Sequence, residues 1–501
     1  MSQQNKELSE RYDIAIIGAG MGGLACGAML AKKGLSVLVA EQHFKPGGYC
    51  TSFKRKGFHF DVGLGWINGA ERGGIISNTL QELDLKNEIE FIELDPALGV
   101  VGSDYNLPMI PFESHIDEWK KMFPGEEKNL DAFARECKAL VSEITALGET
   151  APDLLGFGGK MWLMKKFLFN SPTLKKYGKK TFKEAIDESF KDPKLKVILG
   201  SFFPPDVGAP GLMVFGLSIC QYPKGGFQAL ADVFAKGVTK HRGKLVFKTM
   251  VTKILIEKGK AVGVELEDGT KIHSRYVVSN VDAKQTFFKL VGKQHLNRKY
   301  IKGLEEPLFM PPDFLVSLGV DMDLKAMGFD SVAILYNRSD SIDDIFSGDP
   351  DKCSLAIGMP SFCDPSHAPE GMATVQISAL FPYNHKNYWK REKDGTRGEE
   401  YKKLKETVAN KLISAAEEVI PELSKHIVCK DIATPLTFER YTLNSEGAMG
   451  WFPSPGSKMR SQKTPIKNLY QAGHWTFPGS GIDSVISSGR NAAQLVLKDM
   501  R

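Results

Sequence analysis

Residues 12–41 carry the pattern that most restricts how this chain folds: a strand, a glycine-rich turn, a helix and a second strand within about thirty residues. The apolar run before Gly18 predicts a buried parallel strand, and Gly18 allows the tight turn that follows. Gly20 lets the backbone approach a phosphate, and Gly23 lets the helix pack closely on the strand. The helix N-terminus would point free N–H groups at a pyrophosphate, and Glu41 would accept hydrogen bonds from ribose hydroxyls. The unit therefore predicts dinucleotide binding, the alternative being a tight turn in some other α/β domain.

A second glycine pair, Gly47 and Gly48, follows Glu41 closely, where the chain must pass near a cofactor. A nicotinamide-binding unit has no need of such a pair. The chain here resembles the GG-doublet flavoproteins, which include amine oxidases and bacterial phytoene desaturases, and the likeness continues through GGYCTSFKRKGFHFDVG to Gly63. The resemblance implies FAD as the cofactor. No second dinucleotide motif follows a strand, so a tightly bound nicotinamide is not expected.

Composition and charge exclude several classes of protein. The chain has 501 residues, of which 42% are hydrophobic and 25% charged, and this suits an ordinary globular protein with two interleaved domains. The formal net charge is only +5 and the basic residues do not form one long run, so a nucleic-acid partner is not expected. The seven cysteines are widely spaced and include no CxxC pair, which indicates neither a disulfide framework nor a metal site. A reducing compartment is therefore expected.

Targeting and membrane-spanning segments are not expected either. The polar N-terminus, MSQQNKELSERYD, lacks the apolar core of a secretory signal. Residues 197–222 are nearly free of charge, but Asp206 and the prolines among them argue against a spanning helix. We expect a cytoplasmic protein, with a peripheral position on the inner face of a membrane as a further hypothesis.

That hypothesis depends on residues 160–180, which combine seven lysines with large apolar side chains. This composition is typical of a segment that lies on an anionic bilayer. The alternative is an ordinary helix whose apolar face lies in the core and whose lysines are solvated.

The cofactor domain is expected to be discontinuous. Residues 243–278 form a run of predicted strands with an Asp-Gly turn, which suggests an antiparallel meander. In the resembled family such a meander caps the Rossmann sheet, the residue at Val251 lies beside the adenine, and a glycine pair like Gly225 and Gly226 marks re-entry into the FAD domain. The closing motif is NLYQAG followed by HWTFPGSGI, whose helix N-terminus at residues 481–483 suits the flavin pyrimidine edge.

These elements predict an α/β fold with a Rossmann-type, FAD-binding parallel sheet and an antiparallel β-meander, together with an interleaved α+β substrate domain. We assign residues 1–71, 215–293 and 468–501 to the FAD-binding domain, and residues 72–214 and 294–467 to the substrate-binding domain. The predicted cofactor-binding residues are Gly18, Gly20, Met21, Gly22, Gly23, Glu41, Gln42, Gly47, Gly48, Tyr49, Val251, Gly473, His474, Gly481, Ile482 and Asp483.

Finer details place the resemblance in one branch of the family. The segments PGGYC, DPSHAPEG at 364–371, TPLTFERY at 434–441 and GHWTFPGSGI are similar to the phytoene desaturase, carotenoid isomerase and retinol saturase branch. This resemblance implies a long apolar polyene or isoprenoid, carotenoid-like or retinoid-like, and desaturation, saturation or cis-trans isomerisation of its C=C bonds. A quinone, dioxygen or a redox protein would then exchange electrons with the flavin, and the sequence does not choose among them.

Two other functions stay open at this point. A flavin amine oxidase would need an aromatic cage, for which Trp66, Tyr222, Tyr441 and Trp475 are the candidate rings. A lipid-binding flavoprotein without turnover would keep FAD for its structure alone.

Three positions depart from the pattern of the branch. Tyr49 stands where many phytoene desaturases have an arginine, which favours the isomerase and saturase side. Asp483 stands where desaturases usually have proline, and it either caps the helix or faces the substrate. His474 stands where related flavoproteins have an acidic residue, and it would hydrogen-bond the ribityl chain or the pyrophosphate. The catalytic candidates are His474, Asp483, Glu439 and Tyr441, although hydride transfer to a flavin needs no strong general base.

Overall fold

The structure is a computed structural model that describes residues 8–63, 65–148, 150–305, 311–329, 331–383, 387–451, 455–456 and 459–501. The strands are β1 (Arg11–Ile17), β2 (Val37–Ala40), β3 (Ser52–Arg55), β4 (Phe58–Asp61), β5 (Phe91–Leu94), β6 (Leu98–Gly102), β7 (Tyr105–Ile110), β8 (Cys220–Pro223), β9 (Lys244–Val246), β10 (Val251–Glu257), β11 (Lys260–Leu266), β12 (Lys271–Ser279), β13 (Asp313–Val320), β14 (Ala333–Tyr336), β15 (Leu355–Gly358), β16 (Ala373–Leu380), β17 (Ile427–Ala433) and β18 (Leu469–Gln471).

The α-helices are α1 (Met21–Lys32), α2 (Ile75–Glu82), α3 (Ile116–Met122), α4 (Glu127–Leu147), α5 (Phe157–Asn170), α6 (Pro172–Tyr177), α7 (Phe182–Ser189), α8 (Pro193–Gly200), α9 (Ala209–Phe215), α10 (Phe227–Lys240), α11 (Arg298–Leu304), α12 (Ile342–Ile345), α13 (Glu399–Ala416), α14 (Pro435–Thr442) and α15 (Ile482–Asp499). Short 3₁₀ helices connect several of them, and Gln285–Gly292 forms a π-helix.

The first sheet holds the predicted dinucleotide unit. Its strands run in the order β10-β11-β12-β1-β2-β9, and β18 also pairs with β12. The pairs β12-β1, β1-β2, β2-β9 and β12-β18 are parallel, whereas β10, β11 and β12 pair antiparallel. The central strand β1 is buried from Ile14 to Ile17 because helices and the meander cover both of its faces. The predicted α/β fold class, with a parallel sheet and a β-meander, is confirmed.

The second sheet comes from other parts of the chain, in the order β17-β13-β16-β15-β14-β6-β7. Its pairs are antiparallel except for β14 with β6. A cluster of helices between α3 and α9 packs beside it around Trp119, Leu130 and Phe133. This half of the molecule is the α+β part that the sequence predicts.

The structure gives details that bear on the predicted domain limits, which stay a prediction. Ile76 and Leu80 of α2 pack in the core of the first sheet and its helices, although the sequence places them in the substrate domain. Cys220 and Tyr222 of β8 pack in the core of the second half, because β8 pairs with β5.

A buried carboxylate joins the two halves. The Asp61 side chain accepts hydrogen bonds from Ser52 Oγ at 2.5 Å, from the Tyr222 hydroxyl at 2.5 Å and from the Phe227 N–H at 3.0 Å. The Tyr222 hydroxyl also lies 3.3 Å from Nδ1 of His367, in the DPSHAPEG segment. These bonds hold the β3–β4 hairpin, the start of α10 and the second half of the molecule in one arrangement.

Helix α5, which covers the first half of residues 160–180, contributes no residue to the core. Phe157 and Phe169 are 84% and 74% exposed, and Met161, Trp162, Met164, Phe167 and Leu168 are exposed as well. An apolar face packed into the core, the alternative drawn from the sequence, is therefore wrong. No helix among the described residues combines the length and the apolar character needed to cross a bilayer.

Candidate functional site

The turn between β1 and α1 is packed too tightly for side chains. A Cβ atom on Gly20 would lie 2.7 Å from Nδ2 of Asn280, and one on Gly23 would collide with the carbonyl oxygen of Gly18. Helix α1 begins at Met21, so its first N–H groups face the same space as the turn. The local backbone thus has the close packing and the helix N-terminus that the predicted anion-binding site requires.

Asn280, at the end of β12, is a site residue that the sequence did not reveal. Its side chain is wedged among the glycines, since a Cβ atom on Gly22 or Gly473 would lie 2.6 Å or 2.9 Å from its Oδ1. That Oδ1 is buried and has no hydrogen-bond partner among the described residues. Asn280 also lines the cavity described below, so its amide is available to a ligand there. The only sequence signal was the end of the strand VVSN.

Glu41 is fixed by the backbone around it. Its Oε2 accepts from the Ala19 N–H at 2.7 Å and its Oε1 from the His43 N–H at 2.8 Å. Burial raises the pKa of this carboxyl group, against the lowering effect of the hydrogen bonds. Each oxygen keeps a further lone pair, so the group can also accept hydrogen bonds from hydroxyls at the end of β2.

The second glycine pair lies directly on the first turn. The Gly47 N–H donates to the Ala19 carbonyl at 2.9 Å, and Gly47 forms a parallel bridge with Gly20. Gly47 has a φ of 121°, and a Cβ there would collide with the carbonyl of Cys50. A glycine is required for this close approach.

Tyr49 follows the pair and is held by the loop after α14. Its hydroxyl lies within hydrogen-bond distance of the Gly447 and Ala448 carbonyls, at 3.0 Å and 2.9 Å. Burial raises the pKa of this phenol well above its usual range, so it stays neutral. Tyr49 therefore brings no positive charge to the position where many phytoene desaturases have arginine.

The closing motif lies on the other side of the same space. Helix α15 begins at Ile482 after Gly481, and Asp483 is in its first turn. Asp483 follows the N-cap position, which Gly481 occupies, and it lines the cavity. A carboxylate there interacts favourably with the helix dipole.

His474 and Trp475 present unpaired polar atoms in this region. Nε2 of His474 and Nε1 of Trp475 are buried and have no hydrogen-bond partner within the described part of the chain. Burial lowers the pKa of His474 to about 4, so its ring is neutral at pH 7. Both residues line the cavity, so a ligand with polar groups could form hydrogen bonds with these two nitrogen atoms.

These parts surround one continuous cavity of about 1310 Å³. All the predicted cofactor-binding residues line it except Gly23, which packs beneath Gly18. The same cavity is also lined by a group of uncharged, largely apolar residues that we call the apolar arm. The arm is lined by Trp66, Ile67, Asn68, Val141, Ile144, Thr145, Phe203, Val207, Gly208, Pro210, Gly211, Leu212, Val214, Phe215 and Ser218. The charge-poor stretch at residues 197–222 thus supplies much of this lining.

The four catalytic candidates are not brought together. His474, Asp483 and Tyr441 line the cavity, whereas Glu439 does not, and its carboxylate accepts a hydrogen bond from the Tyr383 hydroxyl. Tyr441 is 49% exposed and lies at the Glu41 end, where its carbonyl accepts from Nε2 of Gln42. We therefore retain His474 and Asp483 as the candidates for chemistry.

The rings considered for an amine oxidase cage are also dispersed. Tyr222 does not line the cavity and directs its hydroxyl to Asp61. Trp475 stacks on Trp451, with ring centroids 5.9 Å apart. Trp66 lies in the apolar arm, where it stacks on Phe215.

The donor set fits FAD. The glycine turn and the helix N-terminus suit a pyrophosphate, and Glu41 suits ribose hydroxyls. Val251 lines the same cavity. The unpaired atoms of Asn280 and His474 can form hydrogen bonds with polar groups of the cofactor. No cluster of His, Cys, Asp and Glu that could hold a metal ion occurs among the described residues.

Comparison with known proteins supports this assignment. The family model of flavin-containing amine oxidoreductases matches residues 21–286 and 324–497. The chain is 30% identical to prolycopene isomerase 1, chloroplastic, of an Oncidium hybrid cultivar, over 99% of this chain and 85% of that protein. It is 27% identical to the neurosporene-forming phytoene desaturase of Rhodobacter capsulatus (96% and 93%) and 26% identical to the all-trans-retinol 13,14-reductase of Danio rerio (93% and 82%).

Solved structures share the fold at low identity. An oxidoreductase from Methanosarcina mazei has a TM-score of 0.62 at 18% identity, covering 97% of this chain and 99% of that one. A wild-type putrescine oxidase bound to putrescine has a TM-score of 0.64 at 14% identity, with coverages of 97% and 99%. At these identities the likeness concerns the fold alone.

Proposed function

Because this chain belongs to the flavin-containing amine oxidoreductase family and has FAD as its cofactor, we propose that it desaturates, saturates or isomerises C=C bonds of a long apolar polyene. The substrate would be carotenoid-like or retinoid-like, as the names of the similar prolycopene isomerase, phytoene desaturase and retinol reductase suggest. The observation that carries the proposal is the apolar arm, which is continuous with the cofactor part of the cavity.

The lining of the arm separates a polyene from an amine. Its polar side chains are Asn68, Thr145 and Ser218, and no residue that we assign to it is ionisable. An ammonium group inside the arm would lose its hydration without a counter-charge among the residues assigned to it, because the carboxylate of Asp483 lies at the start of the arm and not within it. A hydrocarbon chain has no comparable hydration free energy to lose, and the burial of its apolar surface away from water is favourable. The arm therefore favours a polyene over an amine substrate.

The chemistry needs hydrogen transfer at carbon. FAD, when bound, supplies a ring system that accepts or returns a hydride. Backbone N–H groups at the start of α15 would stabilise the negative charge of the reduced cofactor. The neutral ring of His474 adds no charge and offers a hydrogen bond.

Saturation and desaturation also move one proton, and we assign this proton to the Asp483 carboxylate. Asp483 lines the cavity near the start of the arm, since a Cβ atom on Gly69 would lie 3.4 Å from its Cβ. In desaturation Asp483 would take up the substrate hydrogen that leaves as a proton, and bound FAD would supply the acceptor for the hydride; in saturation Asp483 would return the proton and reduced FAD would supply the hydride. Isomerisation leaves the number of hydrogens unchanged.

The test is a product analysis. The protein is incubated anaerobically with liposomal phytoene, a poly-cis carotene or retinol, in oxidised and pre-reduced form. Loss of two hydrogens identifies a desaturase, gain of two a saturase, and unchanged mass with altered geometry an isomerase. Addition of a quinone or dioxygen then tests each as electron acceptor. No change of any polyene, together with peroxide release from an amine, would overturn the proposal.

We further propose that the protein reaches its substrate at a membrane surface through α5, as a cytoplasmic protein on the inner face. Residues 154–183 contain no acidic residue, and their lysines flank the exposed apolar side chains of α5. Such a surface matches an anionic bilayer. Lys166 Nζ donates to the Ala146 carbonyl at 2.9 Å, which places α5 against the end of α4 that lines the arm. A lipid-soluble substrate would therefore have a short path to the cavity.

Liposome flotation tests this contact. Replacement of Phe157, Trp162 and Phe169 by serine is expected to abolish flotation with anionic vesicles, while Phe44→Ser, which removes an exposed ring at the Glu41 end, leaves it unchanged. Replacement of Lys165, Lys166, Lys175 and Lys176 by uncharged residues should reduce the fraction of protein that floats with the vesicles. It should also make that fraction less sensitive to salt, because the electrostatic attraction to anionic lipid is smaller. Unchanged flotation of both the triple serine variant and the lysine variant would contradict membrane contact. So would a parent protein that is a dimer and becomes monomeric in the triple serine variant, because the apolar face of α5 would then contact a second copy of the chain.

A further inference from the structure

One face of α9 lines the apolar arm. Gly208, which precedes the helix, Gly211 and Phe215 are spaced by three and four residues, so they lie along one side of it. All three line the cavity. This face carries a large ring at Phe215 and two glycines before it, and Leu212 beside them also lines the cavity.

The ring end is filled. Phe215 stacks on Trp66 with centroids 6.0 Å apart and on Phe202 at 5.2 Å, and Phe203 meets Phe215 edge to face at 5.9 Å. Val141 and Ile144 of α4 also line the arm. A Cβ atom on Gly208 or Gly211 would meet no described atom within 4 Å, so the space beside the two glycines is unfilled, whereas rings pack together at Phe215.

Neither glycine is required by the fold of the free protein. Both have backbone angles that any residue adopts, because neither has a positive φ. A Cβ atom at either position would meet no described atom within 4 Å. Glycine inside a helix is less favourable than alanine. Neither the packing around position 211 nor helix propensity therefore requires a glycine there. This contrasts with Gly22 and Gly23, where neighbouring atoms leave no room.

We infer that Gly208 and Gly211 keep the arm open for the far end of a long substrate and so select chain length. This inference rests on the proposed function, because it concerns the same cavity and a polyene ligand. A side chain at position 211 would project into space that a long hydrocarbon fills and a short one does not reach. The two glycines are specificity determinants, and they take no part in hydrogen transfer.

The experiment compares Gly211→Leu with Gly303→Leu. Gly303 lies in α11, has no positive φ and does not line the cavity, and a Cβ atom there would meet no described atom within 4 Å, so it is a matched control. Binding of phytoene and of retinol is followed by the change they cause in the absorbance of the bound flavin. Turnover of each is measured in parallel.

We expect Gly211→Leu to weaken phytoene binding by about tenfold or more, and to lower kcat/KM for phytoene relative to retinol by the same factor. Gly211→Ala should keep both ligands within about threefold of the parent, and Gly303→Leu should change neither. An unchanged flavin spectrum in Gly211→Leu without ligand shows that the cofactor site is intact.

The outcomes separate the two claims. Equal loss of phytoene and retinol, or no loss of either in Gly211→Leu, overturns the inference on chain length. If the parent protein binds both polyenes with the expected difference between variants but converts neither, the proposed function fails while the inference holds. If the parent neither binds nor converts any polyene, both fail.

Discussion

The close packing of α1 against Asn280 and against the segment around Gly473 and Val485 can be tested by a substitution at Gly22. A Cβ atom there would lie 2.6 Å from Oδ1 of Asn280, 3.0 Å from the Gly473 nitrogen and 3.0 Å from the Val485 carbonyl oxygen. Ordinary contacts begin near 3.4 Å, so Gly22→Ala requires movements of about 0.8 Å at Asn280 and about 0.4 Å at two backbone positions. Such overpacking costs about 1–3 kcal/mol, offset by about 1 kcal/mol of improved helix propensity.

The remaining cost, about 0–2 kcal/mol with a midpoint near 1 kcal/mol, should fall on cofactor binding. The free protein can relax by moving the start of α1, but FAD needs the helix N-terminus in its original place. We therefore expect FAD to bind about fivefold more weakly, with about 30-fold as the upper limit. The assay is titration of flavin-free protein with FAD, followed by flavin fluorescence, together with thermal unfolding of each variant.

Gly27→Ala in the same helix is the control. A Cβ atom there would meet only side-chain atoms of Val39, Ile16 and Val238 at 3.0–3.4 Å, away from the cavity. This variant should alter the melting temperature but keep FAD affinity within about twofold. FAD affinity within twofold of the parent in Gly22→Ala, or an equal loss in Gly27→Ala, would refute the reasoning.

Three further predictions concern hydrogen bonds and charge. Tyr222→Phe removes one of the donors to the buried Asp61 and should lower stability by about 1–3 kcal/mol in denaturant unfolding, with FAD retained; an unchanged midpoint would contradict this. Glu41→Gln should weaken FAD by about tenfold, because an amide cannot accept both backbone N–H groups, and equal affinity would exclude the ribose role. Burial lowers the pKa of His474 to about 4, so the unfolded chain binds a proton between pH 6.5 and 4 that the native flavin-free protein does not. Stability should be full above pH 6.5 and fall by about 3 kcal/mol on acidification to pH 4, and a His474→Asn variant with the same pH slope would contradict this.

Much of the cofactor site was predictable because its parts are local. The glycine turn, Glu41 and the second glycine pair lie within about forty residues, and steric requirements of the backbone fix their spacing. The meander and the closing motif were recognisable for the same reason, since each is a strand or turn pattern with its own residue preferences. Asn280 was not, because an asparagine at the end of a strand has no distinctive local pattern.

The candidates for chemistry show the limit of the same reasoning. Glu439 and Tyr441 stand in a segment that resembles the family, yet one carboxylate is directed to Tyr383 and the other residue lies at the Glu41 end. Their positions depend on how α14 packs against distant strands, and that information is not contained in spacing along the chain.

The sequence by itself determined the dinucleotide unit, the fold class and the amphipathic composition near residue 160. Only the tertiary structure decided that α5 has no face in the core, that Asp61, Tyr222 and His367 meet at one buried point, and that residues 197–222 line a cavity. The physical reason is the range of the interactions. Turn geometry and helix capping act over a few residues, whereas burial and cavity shape result from segments that pack together although hundreds of residues separate them in the chain.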